Sequence, residues 1–320
     1  MSSPPDPYPD SHGRSAWILR HRPDLSDVRK NLSVDRPGGW IEEWEPDSGG
    51  NLQRFLTVFL TNRECSWRCL MCDLWRQTTL ESVPPGAIPR QVEFALNSVP
   101  GAPAVKLYNA GSFFDPGAIP EVDLPRIAEL LRSRAHLIVE CHPKLVGPKV
   151  TRFAESLGPV RLEVALGLET AHPKVLERLN KGMTLDDFSD AAAFLRKGGV
   201  DVRAFVLVKP PFLDEAEAIH WAVESARFAF GAGATVVSLI PTRLGNGALD
   251  SLAAQGLFAE PGLELLEEAM DRVLGLGRGR VFCDLWDLER FGRSASRLDE
   301  RRARLDAMNR TQRILPRIPG

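Results

Sequence analysis

Short apolar runs rich in Val, Leu and Phe alternate along the chain with longer stretches whose apolar residues recur every three to four positions. That alternation predicts β-α-β units feeding a parallel sheet. The runs "RFLTVFL" (54–60), "AVKLYN" (104–109), "HLIVE" (136–140), "RLEVALGLE" (161–169), "VRAFVLV" (202–208) and "ATVVSLI" (234–240) read as strands, with "RVFCDLW" (280–286) a candidate seventh. Helical periodicity falls at 88–98, 123–134, 148–157, 173–198, 214–231 and 261–275. Six such units within roughly 220 residues suit an α/β fold of partial (β/α)6 TIM-like barrel type better than two Rossmann halves. The loops that follow the strands of such a barrel build its active site.

The flanks depart from this pattern. Residues 1–15 are rich in Pro, Ser and Asp, which predicts disorder. Residues 16–50 form an N-terminal extension: "AWILRHRPDLSDVRKNLS" offers a short helix, and "DRPGGWIEEWEPDSGG" reads as loop with two tryptophans. The barrel core is placed at 51–245 and a C-terminal helical, basic segment at 246–320, which closes the barrel and serves the substrate. From Arg290 onward nine arginines stand against three acids, either as a solvated helix face or as a flank that contacts phosphate.

Composition narrows the function classes. With 320 residues, 43% hydrophobic and 26% charged, the chain can bury a large core. A net charge of -2 excludes the global basic field of a dedicated nucleic-acid binder. No apolar run approaches the roughly 20 residues of a membrane span, and the first residues lack a signal-peptide layout, so a cytoplasmic location is expected. Five cysteines, three of them within "ECSWRCLMCD" (64–73), fit a reducing compartment in which thiolates hold metal or do chemistry.

Cys65, Cys69 and Cys72 follow the first strand, where a barrel places chemistry. A structural zinc site wants four ligands, and no nearby Cys or His completes one; a redox pair needs only two thiols. Three thiolates suit an iron-sulfur cluster that leaves one iron without a protein ligand. This Cys-x3-Cys-x2-Cys spacing behind a first barrel strand resembles the radical SAM superfamily. The resemblance implies one 4Fe-4S cluster on Cys65, Cys69 and Cys72, with S-adenosylmethionine on the open iron and reductive cleavage to a 5'-deoxyadenosyl radical. Met71 stands where an aromatic residue usually covers adenine, a task a thioether can also perform.

Further motifs extend the resemblance. In "YNAGSFFD" (108–115), Ala110, Gly111 and Ser112 occupy the small-residue stretch whose backbone meets the methionyl ammonium. Glu140, ending "LIVE", stands where related enzymes place an acid on the ribose hydroxyls. The stretch "GLETAHPKVLERLNKGMT" (167–184) is similar to the core shared by the Elongator catalytic subunit, tRNA methylthiotransferases and the oxygen-independent coproporphyrinogen oxidase. By that match Glu169 reaches toward the cofactor and Lys181, a point charge in place of the commoner arginine, pairs with the methionyl carboxylate. Ala204 stands where some relatives carry an acid.

"GSFFD", "LNKGMT", "IPTRLGNGALDSLAAQGLF" and "EPGLELLEEAM" resemble the archaeosine synthase family over most of residues 50–285. That resemblance implies action on a deazapurine-like nucleoside in tRNA, or on a related small metabolite. It also brings an electron donor of flavodoxin or ferredoxin type, and a partner subunit. Arg243 and Asn246, after the sixth strand, are candidate substrate contacts, although such a glycine-containing string is also an ordinary turn. Cys141 and Cys283 stand alone, too few for a second all-cysteine cluster. The competing reading is a non-catalytic protein that binds zinc through the cysteines or RNA through the arginine-rich end.

Overall fold

The computed structural model describes residues 7–292 and 296–319. Helices α1 (Arg14–His21) and α2 (Ser26–Lys30) lead into strand β1 (Gly39–Pro46), which runs antiparallel to β2 (Leu52–Leu60). Strands and helices then alternate: α3 (Ala87–Ser98), β3 (Ala104–Asn109), α4 (Leu124–Leu131), β4 (His136–Cys141), α5 (Pro148–Leu157) and β5 (Arg161–Glu169). There follow α6 (Pro173–Arg178), α7 (Leu185–Lys197), β6 (Asp201–Val208), α8 (Glu215–Gly231), β7 (Val236–Pro241), α9 (Ala248–Ala254), α10 (Leu263–Leu274), β8 (Arg280–Cys283) and α11 (Leu298–Thr311). The eight strands lie in chain order, and β2 to β8 are parallel. The result is the expected α/β partial TIM-like barrel, with the candidate seventh parallel strand present as β8.

The two faces of the sheet divide the labour by the period-two alternation of a strand. Leu56, Val58, Leu107, Val139, Leu166, Val206 and Leu239 point outward and are buried in the main core with residues of the covering helices. Ala204 belongs to this outer core and is fully buried. An acid there would therefore face helices, and the inward neighbours are Arg203 and Phe205. Capping boxes start two of the covering helices, Thr184 with Asp187 for α7 and Asp214 with Glu217 for α8.

Inside the barrel, charges fill the end where the parallel strands begin. Lys106 donates to Glu43 at 2.9 Å and also to Glu45, while Arg203 bonds Glu45 and Glu163, each at 2.6 Å. Burial alone would raise the Glu45 carboxyl, but Arg203 and Lys106 outweigh it and hold it well below the usual carboxylate range. Arg280 reaches across the seam to the carbonyl of Pro46 at 2.8 Å, so the first and last strands are tied together.

Three local expectations are corrected. The stretch containing Trp40 and Trp44 is a strand, not a loop: Glu43 and Glu45 turn inward as partners for buried cations, which removes the apolar alternation that marks a half-buried strand. The helix expected over 173–198 is two helices, broken where Asn180 and Gly182 take left-handed backbone conformations at φ 55° and 70°. Disorder over residues 1–15 does not hold for residues 7–15, where Tyr8 is buried and its ring packs on Trp17 and Phe212. Residues 1–6 lie outside the described residues.

Helix α11 lies against β1 and β8 and covers the seam. The side-chain amides of Asn309 and Gln312 pair with the backbone of Cys283 and Val281, completing the free edge of β8 as a neighbouring strand would. Seven of the nine C-terminal arginines are in ion pairs: Arg290, Arg297, Arg301, Arg302, Arg304, Arg310 and Arg317. Arg301 and Arg304 are buried against Glu267 and Asp271 of α10. Much of the basic charge of this segment is thus paired, with Arg301, Arg304 and Arg317 set against α10. Arg293 lies outside the described residues.

Candidate active site

The cysteine loop leaves β2 and is gripped by the ends of several other strands. A Cβ added to Gly111, whose φ is 115°, would stand 2.5 Å from the Cys65 Cβ. Only glycine permits this approach. Asn62 donates to the Ala110 carbonyl at 3.1 Å. Leu70 N–H donates to the Leu179 carbonyl at 2.8 Å, and the Asn180 amide donates to the Arg68 carbonyl at 2.7 Å. The "AGS" and "LNKG" motifs, distant in sequence, therefore hold one loop.

Aromatic stacking locks the same junction. Trp67 lies flat on His142, ring centres 3.8 Å apart and 6° between planes, and Gly182 leaves room for the indole. His142 Nε2 bonds the Lys181 carbonyl at 3.1 Å while Nδ1 accepts from Lys144 N–H. Burial, with Lys181 nearby, pushes His142 down to about 4, so the ring is neutral. Next to Cys65, the Glu64 carboxylate is bracketed by Arg22, Arg29 and Arg68, which ties the N-terminal segment to the loop.

Burial raises all three thiols: Cys65 upward, Cys69 to about 12, and Cys72 further still. A redox-active cysteine needs the opposite shift, so the trio is unsuited to thiol chemistry of its own. Iron binding would remove those protons, since metal and proton compete for the same sulfur. Among the described residues no three Cys, His, Asp or Glu side chains converge on a point able to hold one ion. Three thiolates that each serve a different iron of one cluster need no such convergence. The donor set, with Gly111 seated directly against Cys65, fits a three-cysteine cluster.

Around the barrel from this loop, Lys181 Nζ donates to Glu169 Oε1 at 2.7 Å, with both side chains buried. Glu169 leaves β5 through a bulge in a left-handed conformation, φ 66°. Glu140, half-buried on the inner face, accepts from the Asn109 backbone N–H, and burial pushes its carboxyl up to about 8. At neutral pH it keeps its proton. Met71 packs partly buried between the barrel core and the N-terminal cluster of Tyr8, Trp17 and Leu70.

The structure thus gathers Cys65, Ala110, Gly111, Glu169 and Lys181 around the loop that carries Cys69, Met71 and Cys72, with Glu140 beside them on β4. Ser112 has its hydroxyl turned into the core toward the Cys141 sulfur at 3.4 Å, leaving only its backbone for a ligand. The two substrate candidates both have partners within the protein. Asn246 is buried behind the cysteine loop, its amide donating to the Leu70 and Cys72 carbonyls at 2.7 and 3.3 Å and its oxygen accepting from Leu249 N–H. Arg243 is engaged with Asp284 and the Trp286 carbonyl, each at 2.7 Å.

Sequence reasoning missed Trp67, Asn62, Gly167 and the orienting role of His142. A Cβ on Gly167 would stand 2.3 Å from Glu169 Oε1 and 2.5 Å from Lys181 Nζ, so that glycine makes room for the ion pair. Its signal was present in "GLET" as a glycine inside an apolar strand, which marks a close approach.

No family model matches the chain. Over 165 residues, 49% of this chain and 51% of the relative, it is 33% identical to archaeosine synthase subunit beta of Thermococcus kodakarensis. Over 230 residues, 67% of this chain and 66% of the relative, it is 28% identical to archaeosine synthase subunit beta of Methanosarcina acetivorans. The chain therefore spans about half to two thirds of the length of these curated relatives. Among solved structures, methylornithine synthase superposes with a TM-score of 0.52 at 13% identity, covering 85% of this chain and 71% of that one. That likeness is one of fold.

The barrel is thus a fold shared with methylornithine synthase. By sequence, the chain is similar to archaeosine synthase subunit beta.

Proposed function

We propose that the chain carries one 4Fe-4S cluster on Cys65, Cys69 and Cys72, binds S-adenosylmethionine beside it, and acts as a lyase- or transferase-type radical enzyme. Its substrate is a modified, deazapurine-like nucleoside in tRNA or a related small metabolite. The observation that carries this reading is the seating of Gly111 against Cys65, which joins the motif after β3 to the cysteine loop. Similarity to two archaeosine synthase beta subunits supports the nucleoside and a partner subunit.

When bound, the cluster supplies the electron that cleaves the sulfonium to methionine and a 5'-deoxyadenosyl radical able to take a substrate hydrogen. The protein's own residues bind and orient. The half-buried thiols of Cys65, Cys69 and Cys72 would hold the cluster as thiolates, giving up their protons on binding. The backbone of Ala110, Gly111 and Ser112 offers polar groups to the methionyl ammonium. Lys181 offers its cation to the methionyl carboxylate, which competes with Glu169 for the same ammonium group. Glu140, protonated at neutral pH, can donate to one ribose hydroxyl through its O–H and accept from the other through its carbonyl. Met71 supplies a polarizable face for adenine.

An electron donor of flavodoxin or ferredoxin type completes the system, and a cytoplasmic location suits it. No helix of the described residues is long and apolar enough to cross a membrane. Anaerobic reconstitution followed by reduction tests the cofactor half through release of 5'-deoxyadenosine. Profiling tRNA nucleosides and metabolites of a deletion strain tests the substrate half.

A further inference from the structure

The inner face of the barrel changes character along the strands. Its lower half is the charge network of Lys106, Glu45, Arg203 and Glu163, fully packed. Toward the C-terminal ends, the inner-face residues Phe59, Tyr108, Glu140, Phe205 and Ile240, and Asp284 just after β8, are each half-buried. Three of these six are aromatic.

Trp286 stands just beyond the end of β8. Its indole is 53% exposed, yet its backbone is held at both ends: its N–H donates to Asp284 Oδ1 at 2.9 Å and its carbonyl accepts from Arg243 Nη2 at 2.7 Å. Arg243 also pairs with Asp284 Oδ2 at 2.7 Å, so β7 and β8 fix the residue jointly. The ring meets Phe59 of β2 edge-on, centres 6.0 Å apart, across the seam. Gly39 of β1 pairs with Phe59, and a Cβ built there would meet nothing within 4 Å, so space remains beside the two rings. The indole thus stands in water on a backbone held at both ends, at the end of the barrel where the strands finish.

We propose that Trp286, with Phe59 at its edge, is the platform on which a planar, purine-sized aromatic part of the substrate stacks, and that Arg243 is the positioning residue that holds it. The proposal rests on the enzymatic reading above and adds the residue that selects the substrate ring. Stacking on an indole face suits any flat heterocycle, whereas a sugar or aliphatic chain gains little from it. The cysteine loop leaves β2, the strand that carries Phe59, so the platform lies beside the proposed cofactor.

The test is isothermal titration of the anaerobically reconstituted full chain with guanosine, and with ribose as the non-aromatic control. Wild type is expected to bind guanosine and not ribose. Trp286→Ala should weaken guanosine binding roughly tenfold or more, as for other stacked bases, with Trp286→Phe keeping most of it. Arg243→Ala should weaken binding and Arg243→Lys should restore part, because an ammonium can still pair with Asp284. Iron content and the exposed Trp44→Ala variant control for folding. Equal guanosine affinity in Trp286→Ala and wild type, or no guanosine binding by wild type, overturns the platform. Absence of 5'-deoxyadenosine from reduced wild type would overturn the enzymatic reading instead, and the titration does not depend on it.

Discussion

Lys181 Nζ and Glu169 Oε1 meet at 2.7 Å in the space that Gly167 leaves by having no side chain. Burial alone would lower the lysine, but Glu169 outweighs it and keeps Lys181 above its ordinary range. Gly167→Ala forces a methyl into contact with both charged groups. It is expected to cost about 1–3 kcal/mol of stability and to weaken S-adenosylmethionine binding. Denaturant titration and calorimetry with the reconstituted protein check both effects.

Asn246 was legible in the sequence as a polar residue in a turn, and only the fold shows that it braces the cysteine loop from behind. Asn246→Ala removes two donors from the Leu70 and Cys72 carbonyls and one acceptor from Leu249. A loss of about 1–3 kcal/mol is expected, together with reduced iron per chain after reconstitution. Iron content equal to wild type would count against the bracing role.

The C-terminal arginines should matter for stability and not for polyanion binding. Arg304→Ala leaves Asp271 of α10 without its buried partner, while Glu267 keeps Arg301, an expected loss of about 3–5 kcal/mol. Arg302→Ala breaks only a surface pair, which is worth about 0–1 kcal/mol. Neither change should alter retention on a heparin column. Reduced retention of the folded Arg302→Ala protein would restore the phosphate-contacting reading of this segment.

The strands that carry the barrel were readable because their outward faces are apolar and their lengths short. β1 was not, since its inward residues are Glu43 and Glu45, whose partners Lys106 and Arg203 come from β3 and β6. The arginine-rich end was legible only in part: Arg297 and Arg310 pair with Glu300 and Asp306 close by, whereas the counter-charges of Arg301, Arg304 and Arg317 lie on α10, dozens of residues earlier. In the site, spacing and resemblance supplied the cysteines, Glu140, Glu169 and Lys181. The glycines that permit close approach, and the Trp67–His142 stack, depend on contacts between chain segments that no local pattern encodes.

His136 gives the fold an acid-sensitive element. Burial is the main cause that takes this ring from 6.5 down to about 4, opposed by Glu163 at 3.5 Å. The unfolded chain therefore takes up a proton that the native state refuses between these values. The contribution is intact above pH 6.5 and is lost as pH falls toward 4. A His136→Gln variant should show a shallower decline across that window in urea-unfolding free energy, and an unchanged slope would assign the decline to the carboxylates.

The central claim is that three half-buried cysteines and the strand ends around them form one radical-generating site. Its most direct measurement is 5'-deoxyadenosine released on reduction with S-adenosylmethionine, in parallel with iron and sulfide per chain, for wild type and Cys69→Ala. Wild type is expected to hold about four irons and four sulfides and to release 5'-deoxyadenosine, and Cys69→Ala to release none. A colourless wild type that holds one zinc, or equal release by both proteins, would contradict the account.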